Sequence, residues 1–273
     1  MSPVRVISEA DIPDAMRLKE SANWNQTETD WRNVMCVEPA GCFGIDCDGR
    51  LAATATAVRF GCELAWIGMV LTHPDYRGRG FARLLMEHSV AYLLARGVRW
   101  IKLDATDMGR PLYARLGFVD ECPIERWARP PAPCDAPPLP PLAEIPGALD
   151  REAFGADRGA LLRLLAGIES ARGPHGGYAM GRPGSNAAFF GPCVSRSAGE
   201  ARDLVQWFLA RHPGDMVYWD VLPENAAAAS LARELGFAPL RRLVRMALPG
   251  AGAPPPFLHN DALVFGIAGF EYG

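Results

Sequence analysis

The residues with the clearest chemical potential lie in one short loop, His73–Ala82 (HPDYRGRGFA). Gly78 and Gly80 let the backbone approach a ligand without Cβ clashes. A predicted helix follows, so its unbonded N–H groups and the positive end of its dipole face outward. Three arginines add charge of the kind that pairs with phosphate oxygens: Arg77, Arg79 and Arg83. We interpret the loop as an anion-binding site suited to a pyrophosphate, with a glycine-rich turn bearing solvated arginines as the alternative.

Two well-known phosphate-binding loops do not fit this segment. A Walker A loop needs Gly-Lys-Ser or Gly-Lys-Thr, and the chain contains neither. A dinucleotide fingerprint GxGxxG needs glycine or alanine where this chain has Arg83. The loop instead resembles the Arg/Gln-x-x-Gly-x-Gly/Ala signature of the GCN5-related N-acetyltransferases (GNAT), matched by Arg77, Gly80 and Ala82.

The resemblance extends over nearly the whole chain outside a proline-rich segment. It includes the strand before the loop, the helix after it and the unit that ends in Tyr113–Phe118. With NWNQTETDW (Asn23–Trp31) and GRPGSNAAFFGP (Gly181–Pro192), it looks like a bacterial two-domain subgroup in which a divergent second acetyltransferase-like domain follows a catalytic one. The resemblance implies an α+β fold of tandem GNAT-like domains, each a mixed, mostly antiparallel sheet flanked by helices.

Composition favours the same division. Proline cannot donate a backbone hydrogen bond, so residues 129–145 (RPPAPCDAPPLPPLAEI) are predicted to form a semi-rigid linker. This leaves residues 1–128 as the catalytic domain and 146–273 as a degenerate domain. Each half ends with a strand, a polar loop, a helix and Leu-Gly-Phe, with Gly117 and Gly236 ending the helices. The repetition indicates duplication, with chance similarity of two turns as the alternative.

Three further patterns position the loop within the first half. Gly41–Phe60 is predicted to form a hairpin that turns at Asp48-Gly49. Glu63–Pro74 is mostly apolar and ends at proline, as a buried central strand would. Phe81–Gly97 is predicted to form a largely buried helix that ends at glycine.

The resemblance also implies acyl transfer, normally of acetyl, from coenzyme A to an amine. We expect the amine to belong to a small molecule, because two domains can close the cleft between them. Backbone N–H groups of the loop would then hold the pyrophosphate: Arg77, Gly78, Arg79, Gly80, Phe81 and Ala82. An amide near Val70 would stabilise the thioester oxygen, with Met69 and Leu71 pairing with the pantetheine arm. Thr106 stands where many members have asparagine, which puts that pantetheine contact in doubt. Tyr113 would protonate the leaving thiolate, or else pack the helix against the sheet.

Several residues are candidates for the base and for the acceptor site. Asp104 is the first candidate for the base and Glu63 the second, although a capping or salt-bridge role suits Asp104 equally. Four residues in the region of the first helices are candidates for binding the acceptor: Trp24, Asn25, Asp30 and Trp31. Aromatic rings beside carboxylates suit a cationic amine, whereas a helix stripe packed into the core is the alternative for the tryptophans.

The second half departs from this pattern. Ala232 stands at the position that corresponds to Tyr113, although Asn225 matches the common asparagine, and the segment where a second phosphate loop is expected offers a single glycine, Gly199. We expect this half to shape the acceptor pocket rather than to bind coenzyme A or catalyse. Arg172–Asn186, polar and glycine-rich, is interpreted as its functional loop.

Composition limits the other classes of function. A net charge of −3 excludes a strongly basic nucleic-acid binder. Without an apolar run of about 18 residues, and with three acidic residues in Met1–Asp14, we expect no membrane span or signal peptide and a cytoplasmic location. Seven cysteines without CxxC and five histidines without HExxH give no support for a metal site. Two other functions stay open, a non-catalytic acyl-CoA-binding regulator or scaffold and a protein lysine or N-terminal acetyltransferase. For the oligomeric state, a monomer and a homodimer are the alternatives.

Overall fold

Two series of helices and strands with similar order follow one another in the computed structural model, which describes residues 3–250, 252 and 254–273. The first comprises β1 (Arg5–Val6), α1 (Ile12–Ser21), α2 (Glu28–Val37), β2 (Cys42–Cys47), β3 (Arg50–Phe60), β4 (Leu64–Thr72), α3 (Phe81–Leu94), β5 (Trp100–Ala105), α4 (Arg110–Arg115) and β6 (Val119–Arg129). The second comprises α5 (Gly147–Phe154), α6 (Gly159–Ala166), β7 (Glu169–Arg172), β8 (Tyr178–Arg182), β9 (Ala188–Val194), α7 (Ala198–Arg211), β10 (Val217–Val221), α8 (Ala226–Glu234), β11 (Ala238–Pro249) and β12 (Val264–Gly266).

All of these strands belong to one sheet, in the order β1-β2-β3-β4-β5-β11-β6-β10-β9-β8-β7, with β12 paired to β9. Among the described residues, two strand pairs run parallel, β4 with β5 and β9 with β10, and the other pairs are antiparallel. The expected fold class, a mixed and mostly antiparallel sheet flanked by helices in tandem, is confirmed. The parallel pairs mark corresponding places in the two halves.

The two halves exchange their last long strands. β11 inserts between β5 and β6, where Arg245 stands opposite Asp104. In turn β6 pairs with β10, where Trp127 stands opposite Trp219. Each half therefore completes the sheet of the other, which the sequence repeat does not indicate. The boundaries at residues 128 and 145 stay a prediction; residues 130–146 contain no helix or strand.

Both faces of the sheet are covered by apolar side chains. On one face, α3 buries Phe81, Leu85, Met86 and Leu93 against the strands of the first half, as its periodicity predicts. The helix ends at Leu94, and Gly97 (φ 72°) turns the chain after it. On the other face, α1, α2 and α6 pack with the chain's last residues in a second cluster.

The predicted hairpin is present as β2 and β3. Asp48 and Gly49 have φ values of 54° and 74°, as a two-residue hairpin turn with left-handed residues requires. The interpretation of Arg172–Asn186 as a long functional loop is wrong, because most of this segment forms β7 and β8 and the turn between them. Polar, glycine-rich residues are typical of tight turns as well as of long loops.

All seven cysteines are free thiols. Among the described residues, no helix is both long and apolar enough to span a bilayer. In the same part of the chain, no group of three or more His, Cys, Asp or Glu residues is arranged to hold a metal ion.

Candidate active site

The two parallel strands of the first half separate towards their carboxyl ends. β4 and β5 pair only where Leu64–Trp66 faces Trp100–Lys102. Beyond these residues the sheet opens between the strands, and the opening is continuous with a cavity. The cavity encloses about 640 Å³ of space free of atoms, including the part open to solvent.

Strained backbone in β4 borders this opening. Thr54 faces Leu71 and Thr56 faces Gly68 on the neighbouring strand, so Met69 and Val70 together oppose one residue of β3 in a β-bulge. Met69 has φ 47°, a conformation that costs a non-glycine residue about 1–3 kcal/mol. The Thr54 hydroxyl donates to the Met69 carbonyl at 2.9 Å and helps to fix it. The bulge leaves backbone groups of β4 outside the ladder at the cavity.

Residues from both halves line the cavity. The first half contributes Trp24, Gln26, Ile67, Gly68, Met69, Val70, Leu103, Asp104, Thr106, Tyr113 and Arg126. The second half contributes Arg241, Leu243, Phe270 and Glu271. Six residues predicted from the sequence are thus brought together: Trp24, Met69, Val70, Asp104, Thr106 and Tyr113.

Tyr113 lies on α4 and is only 8% exposed. Burial raises the pKa of its hydroxyl to about 12, so the hydroxyl keeps its proton at neutral pH. A Cβ atom at Gly109 would lie 2.8 Å from the ring, so a glycine there leaves room for the tyrosine. Thr106 accepts a hydrogen bond from the Gly109 N–H at 3.2 Å through its hydroxyl and fixes the turn before α4. The local fold therefore holds a protonated phenol at the cavity.

The two candidate bases have different surroundings. The Asp104 side chain is fully buried and accepts two hydrogen bonds from Arg245, at 2.9 and 3.2 Å. Burial raises the pKa of Asp104, and the charge of Arg245 opposes that shift. Glu63 precedes β4 at the end away from the bulge, is half exposed and pairs with Arg99 at 3.1 Å. The structure brings Asp104 to the cavity, within an ion pair, and does not bring Glu63 there.

The predicted acceptor residues separate into different roles. Trp24 lines the cavity, whereas Trp31 on α2 is 2% exposed and packs in the core. Asn25 accepts hydrogen bonds from the N–H groups of Asn186 and Ala187, at 2.9 and 3.0 Å, and so fastens the two halves together. Asp30, in the first turn of α2, accepts from the N–H of the N-cap residue Thr27 at 2.7 Å and also from Arg182 Nε at 2.8 Å. Asn25 and Asp30 lie beside a small neighbouring pocket and hold structural contacts.

The glycine loop lies where β4 ends and α3 begins. Gly78 and Gly80 have φ values of 76° and 82°, and a Cβ atom at either would meet nothing within 4 Å. Gly80 is the N-cap residue of α3, and no side chain caps the helix. The N–H groups of the first turn, which includes Phe81 and Ala82, are thus left for a ligand. Arg77 donates from Nε to the Thr72 carbonyl at 3.4 Å, and Arg79 Nη1 lies 3.6 Å from Cys47 Sγ. Leu71 lies one residue before the end of β4.

Sequence reasoning missed the residues that close the other side of the cavity. Glu271 is 2% exposed, and burial raises the pKa of its carboxyl. It accepts a hydrogen bond from Arg182 Nη2 at 2.6 Å and one from Gln26 Nε2 at 2.9 Å. Arg126, Arg241 and Phe270 also reach the cavity. Strand exchange brings Arg126 and Arg241 there, and the final segment (residues 264–273, which begins with β12) brings Phe270 and Glu271. No local pattern in the sequence indicates either.

The corresponding opening in the second half is filled by the chain itself. β9 and β10 pair where Ala188–Phe190 faces Val217–Trp219. β12 then lies in the gap, where Gly266 pairs with Cys193 and the Ile267 N–H donates to the Asp220 carbonyl at 3.2 Å. Asn225, the match to the common asparagine, donates to the Val264 carbonyl at 2.9 Å and so holds this segment in place.

Comparison with known proteins gives the same family for both halves. Residues 9–118 match the acetyltransferase (GNAT) family, and residues 147–260 match an acetyltransferase (GNAT) domain. The [ribosomal protein bS18]-alanine N-acetyltransferase of Salmonella typhimurium is 29% identical over 132 residues, which are 46% of this chain and 86% of that protein.

Two solved structures share the fold over nearly the full length. A candidate acetyltransferase from Pyrococcus horikoshii has a TM-score of 0.85 at 20% identity, covering 99% of this chain and 95% of its own. A tandem GNAT protein from the clavulanic acid biosynthesis pathway has a TM-score of 0.64 at 14% identity, covering 94% and 100%. With two matched domains and the opened strand pair, the chain belongs to the GNAT acetyltransferase family and carries two GNAT domains in tandem.

Proposed function

We propose that this protein is an N-acetyltransferase that transfers the acetyl group of acetyl-CoA to the amine of a small molecule. The observation that carries the proposal is the cavity between β4 and β5, with the strained bulge at Met69 on one wall and protonated Tyr113 on another. Family membership supports acetyl transfer in general. The choice of a small acceptor rests on this cavity.

The residues of the first half fit coenzyme A. The free N–H groups at the start of α3, and the open space beside Gly78 and Gly80, suit a pyrophosphate. The opening beside Met69, Val70 and Leu71 suits an extended arm that hydrogen-bonds to a strand edge. When bound, acetyl-CoA supplies a thioester whose carbon can be attacked by an amine.

The chain's own groups then have defined tasks. A backbone N–H of the bulge, near Val70, stabilises the negative charge that develops on the carbonyl oxygen. Tyr113 donates its proton to the departing sulfur as the carbon–sulfur bond breaks. The amine must lose a proton as the carbon–nitrogen bond forms, and two carboxylates line the cavity to receive it, Asp104 and Glu271. Asp104 is the choice made from the sequence.

Closure of the acceptor side supports a small molecule. Arg241 and Leu243 come from the exchanged strand β11, and Phe270 and Glu271 from the final segment. The Phe270 carbonyl accepts from Trp66 Nε1 at 3.0 Å, which ties that segment to β4. These groups form a wall where a protein substrate would need an open groove. The seven free thiols suit a reducing compartment, and a cytoplasmic location belongs to the proposal.

The relative that acts on the alanine of a ribosomal protein favours a second candidate, N-terminal acetylation of a protein. Release of free thiol with small amines but not with peptides that carry a free amino terminus supports the first proposal. The opposite preference supports the second.

Titration of acetyl-CoA into the wild type and two variants tests the cofactor site. Gly80→Glu places a carboxylate where the pyrophosphate is expected, and we expect binding to be lost. Gly97→Glu is the matched control, because Gly97 also has positive φ and open surroundings but lies beyond the other end of α3. If the wild type does not bind acetyl-CoA, or if both variants bind it as the wild type does, the proposed site is wrong.

A further inference from the structure

The charged groups at the cavity are paired, with one exception. Three buried carboxylates are each held by a guanidinium: Asp104 by Arg245, Glu271 by Arg182, and Asp220 by Arg126. Arg241 also lines the cavity, and its guanidinium makes no hydrogen bond or ion pair with any residue that the structure describes. Arg241 is an exposed residue, and of the two arginines that line the cavity it is the one without a directly bonded partner among the described residues.

The position of Arg241 directs it to the acceptor side. Along β11, Arg241, Leu243 and Arg245 alternate with Arg242 and Val244, so the first three share one face of the sheet. Leu243 packs in the cluster formed with α1, α2 and the final segment, and Arg245 lies over the ring of Trp66 at 4.6 Å. Tyr113 and α3 pack in the cluster on the opposite face. Arg241 thus faces the side from which an acceptor would enter.

The neighbours of Arg241 compensate its charge only in part. Arg126 stands directly opposite on β6, and like charges in that relation repel. The charges of two carboxylates act on Arg241, those of Asp220 and Asp107, but neither makes an ion pair with it, and Asp220 is already bound by Arg126 through two contacts of 2.7 Å. Partial burial and the charge of Arg126 lower the pKa of Arg241. A bound anion beside Arg241 would offset both the burial of its charge and the repulsion from Arg126.

We propose that the acceptor is an amine that also carries a carboxylate, an amino acid or a close analogue, and that Arg241 binds this carboxylate. The inference rests on the proposed function and narrows its substrate class. The planar guanidinium matches the two oxygens of a carboxylate. Trp24 and Phe270, which line the same cavity, give apolar surface to the remainder of the molecule.

The test compares amino acids with their carboxamides, which keep the amine and side chain but lose the negative charge. Acetyl-CoA turnover is followed by thiol release with the wild type, Arg241→Gln and Arg242→Gln. Arg242 is the matched control because it is the next residue on β11 and faces the other way. Phosphonate analogues of the same amines form a third set.

We expect the wild type to prefer the acids, and Arg241→Gln to raise KM for the acids about 10- to 100-fold, as loss of a charge-assisted contact does. KM for the carboxamides and the affinity for acetyl-CoA should stay the same, and Arg242→Gln should behave as the wild type. Equal use of acids and carboxamides by the wild type, an unchanged KM in Arg241→Gln, or a preference for phosphonates would overturn the carboxylate assignment alone. No thiol release with any amine would instead overturn the proposed function, and this inference with it.

Discussion

At the scale of single residues, two tyrosines with similarly raised pKa values have different surroundings. Tyr113 is buried and Tyr92 is partly buried, and the pKa of each is raised to about 12. The Tyr92 hydroxyl donates to Glu38 Oε1 at 2.6 Å, outside the cavity, whereas Tyr113 lines the cavity. Only Tyr113 is therefore placed to donate a proton to a bound ligand.

Tyr113→Phe should lower kcat about 100-fold or more, with little change in the affinity for acetyl-CoA, because it removes the proton donor and keeps the ring. The raised pKa means that Tyr113 keeps its proton up to about pH 12, so the rate should rise with pH as the amine is deprotonated and show no decline below pH 10. Steady-state kinetics between pH 6 and 10 measure both effects. Tyr92→Phe is the control, and a kcat for Tyr113→Phe within twofold of the wild type would exclude the acid role.

At the scale of elements, β4 joins the cofactor side of the cavity to the acceptor side. Its bulge opens the strand pair, and Gly68, just before the bulge, lies against the final segment of the chain. A Cβ atom at Gly68 would lie 2.8 Å from Glu271 Cα and 3.1 Å from the Glu271 carbonyl oxygen. These are backbone atoms, so a side-chain rotation cannot relieve the clash.

Gly68→Ala should therefore displace the segment that carries Glu271. We expect a loss of about 1–3 kcal/mol in the free energy of unfolding and a higher KM for the acceptor, with acetyl-CoA binding retained. Urea denaturation and initial-rate kinetics measure the two effects. Gly147→Ala is the matched control, since nothing lies within 4 Å of a Cβ there and alanine favours a helix. Equal stability and KM in both variants would show that the segment does not pack as described.

At the scale of the whole molecule, the two GNAT domains contain corresponding strand pairs with different surroundings. The opening between β4 and β5 is continuous with the cavity, whereas the one between β9 and β10 contains β12. Trp219 Nε1 donates to the Phe265 carbonyl at 2.7 Å and so holds β12 in the second opening. The same final segment continues to Glu271 at the first cavity, so the second half supplies walls to the first site.

Acetyl-CoA should accordingly bind with a stoichiometry of about one per chain. Calorimetric titration of the full-length protein measures this number directly. Two equivalents would show that β12 leaves the second opening, which the structure does not predict. The Gly80→Glu variant distinguishes the sites, because any binding that it retains would belong to the second half.

The sequence by itself determined the local elements and the family. Four local features depend on nearest neighbours along the chain, and each is found where its pattern predicts. They are the left-handed residues at Asp48-Gly49, the apolar strand β4, the glycines before α3 and the two Leu-Gly-Phe endings. The choice of Tyr113 follows from its place in one such unit. The role of each of these residues in catalysis stays a prediction.

Only the tertiary structure decided which distant groups meet at the cavity. Asp104 is paired because β11 crosses to β5 and brings Arg245 opposite it. Arg241 and Glu271 reach the acceptor side through the same strand exchange and through the final segment, and Trp31 faces the core because α2 packs against the sheet. Such contacts join residues more than 100 positions apart, and strand partners are selected by the packing of the whole sheet. Local patterns of polarity and spacing therefore do not indicate these long-range contacts.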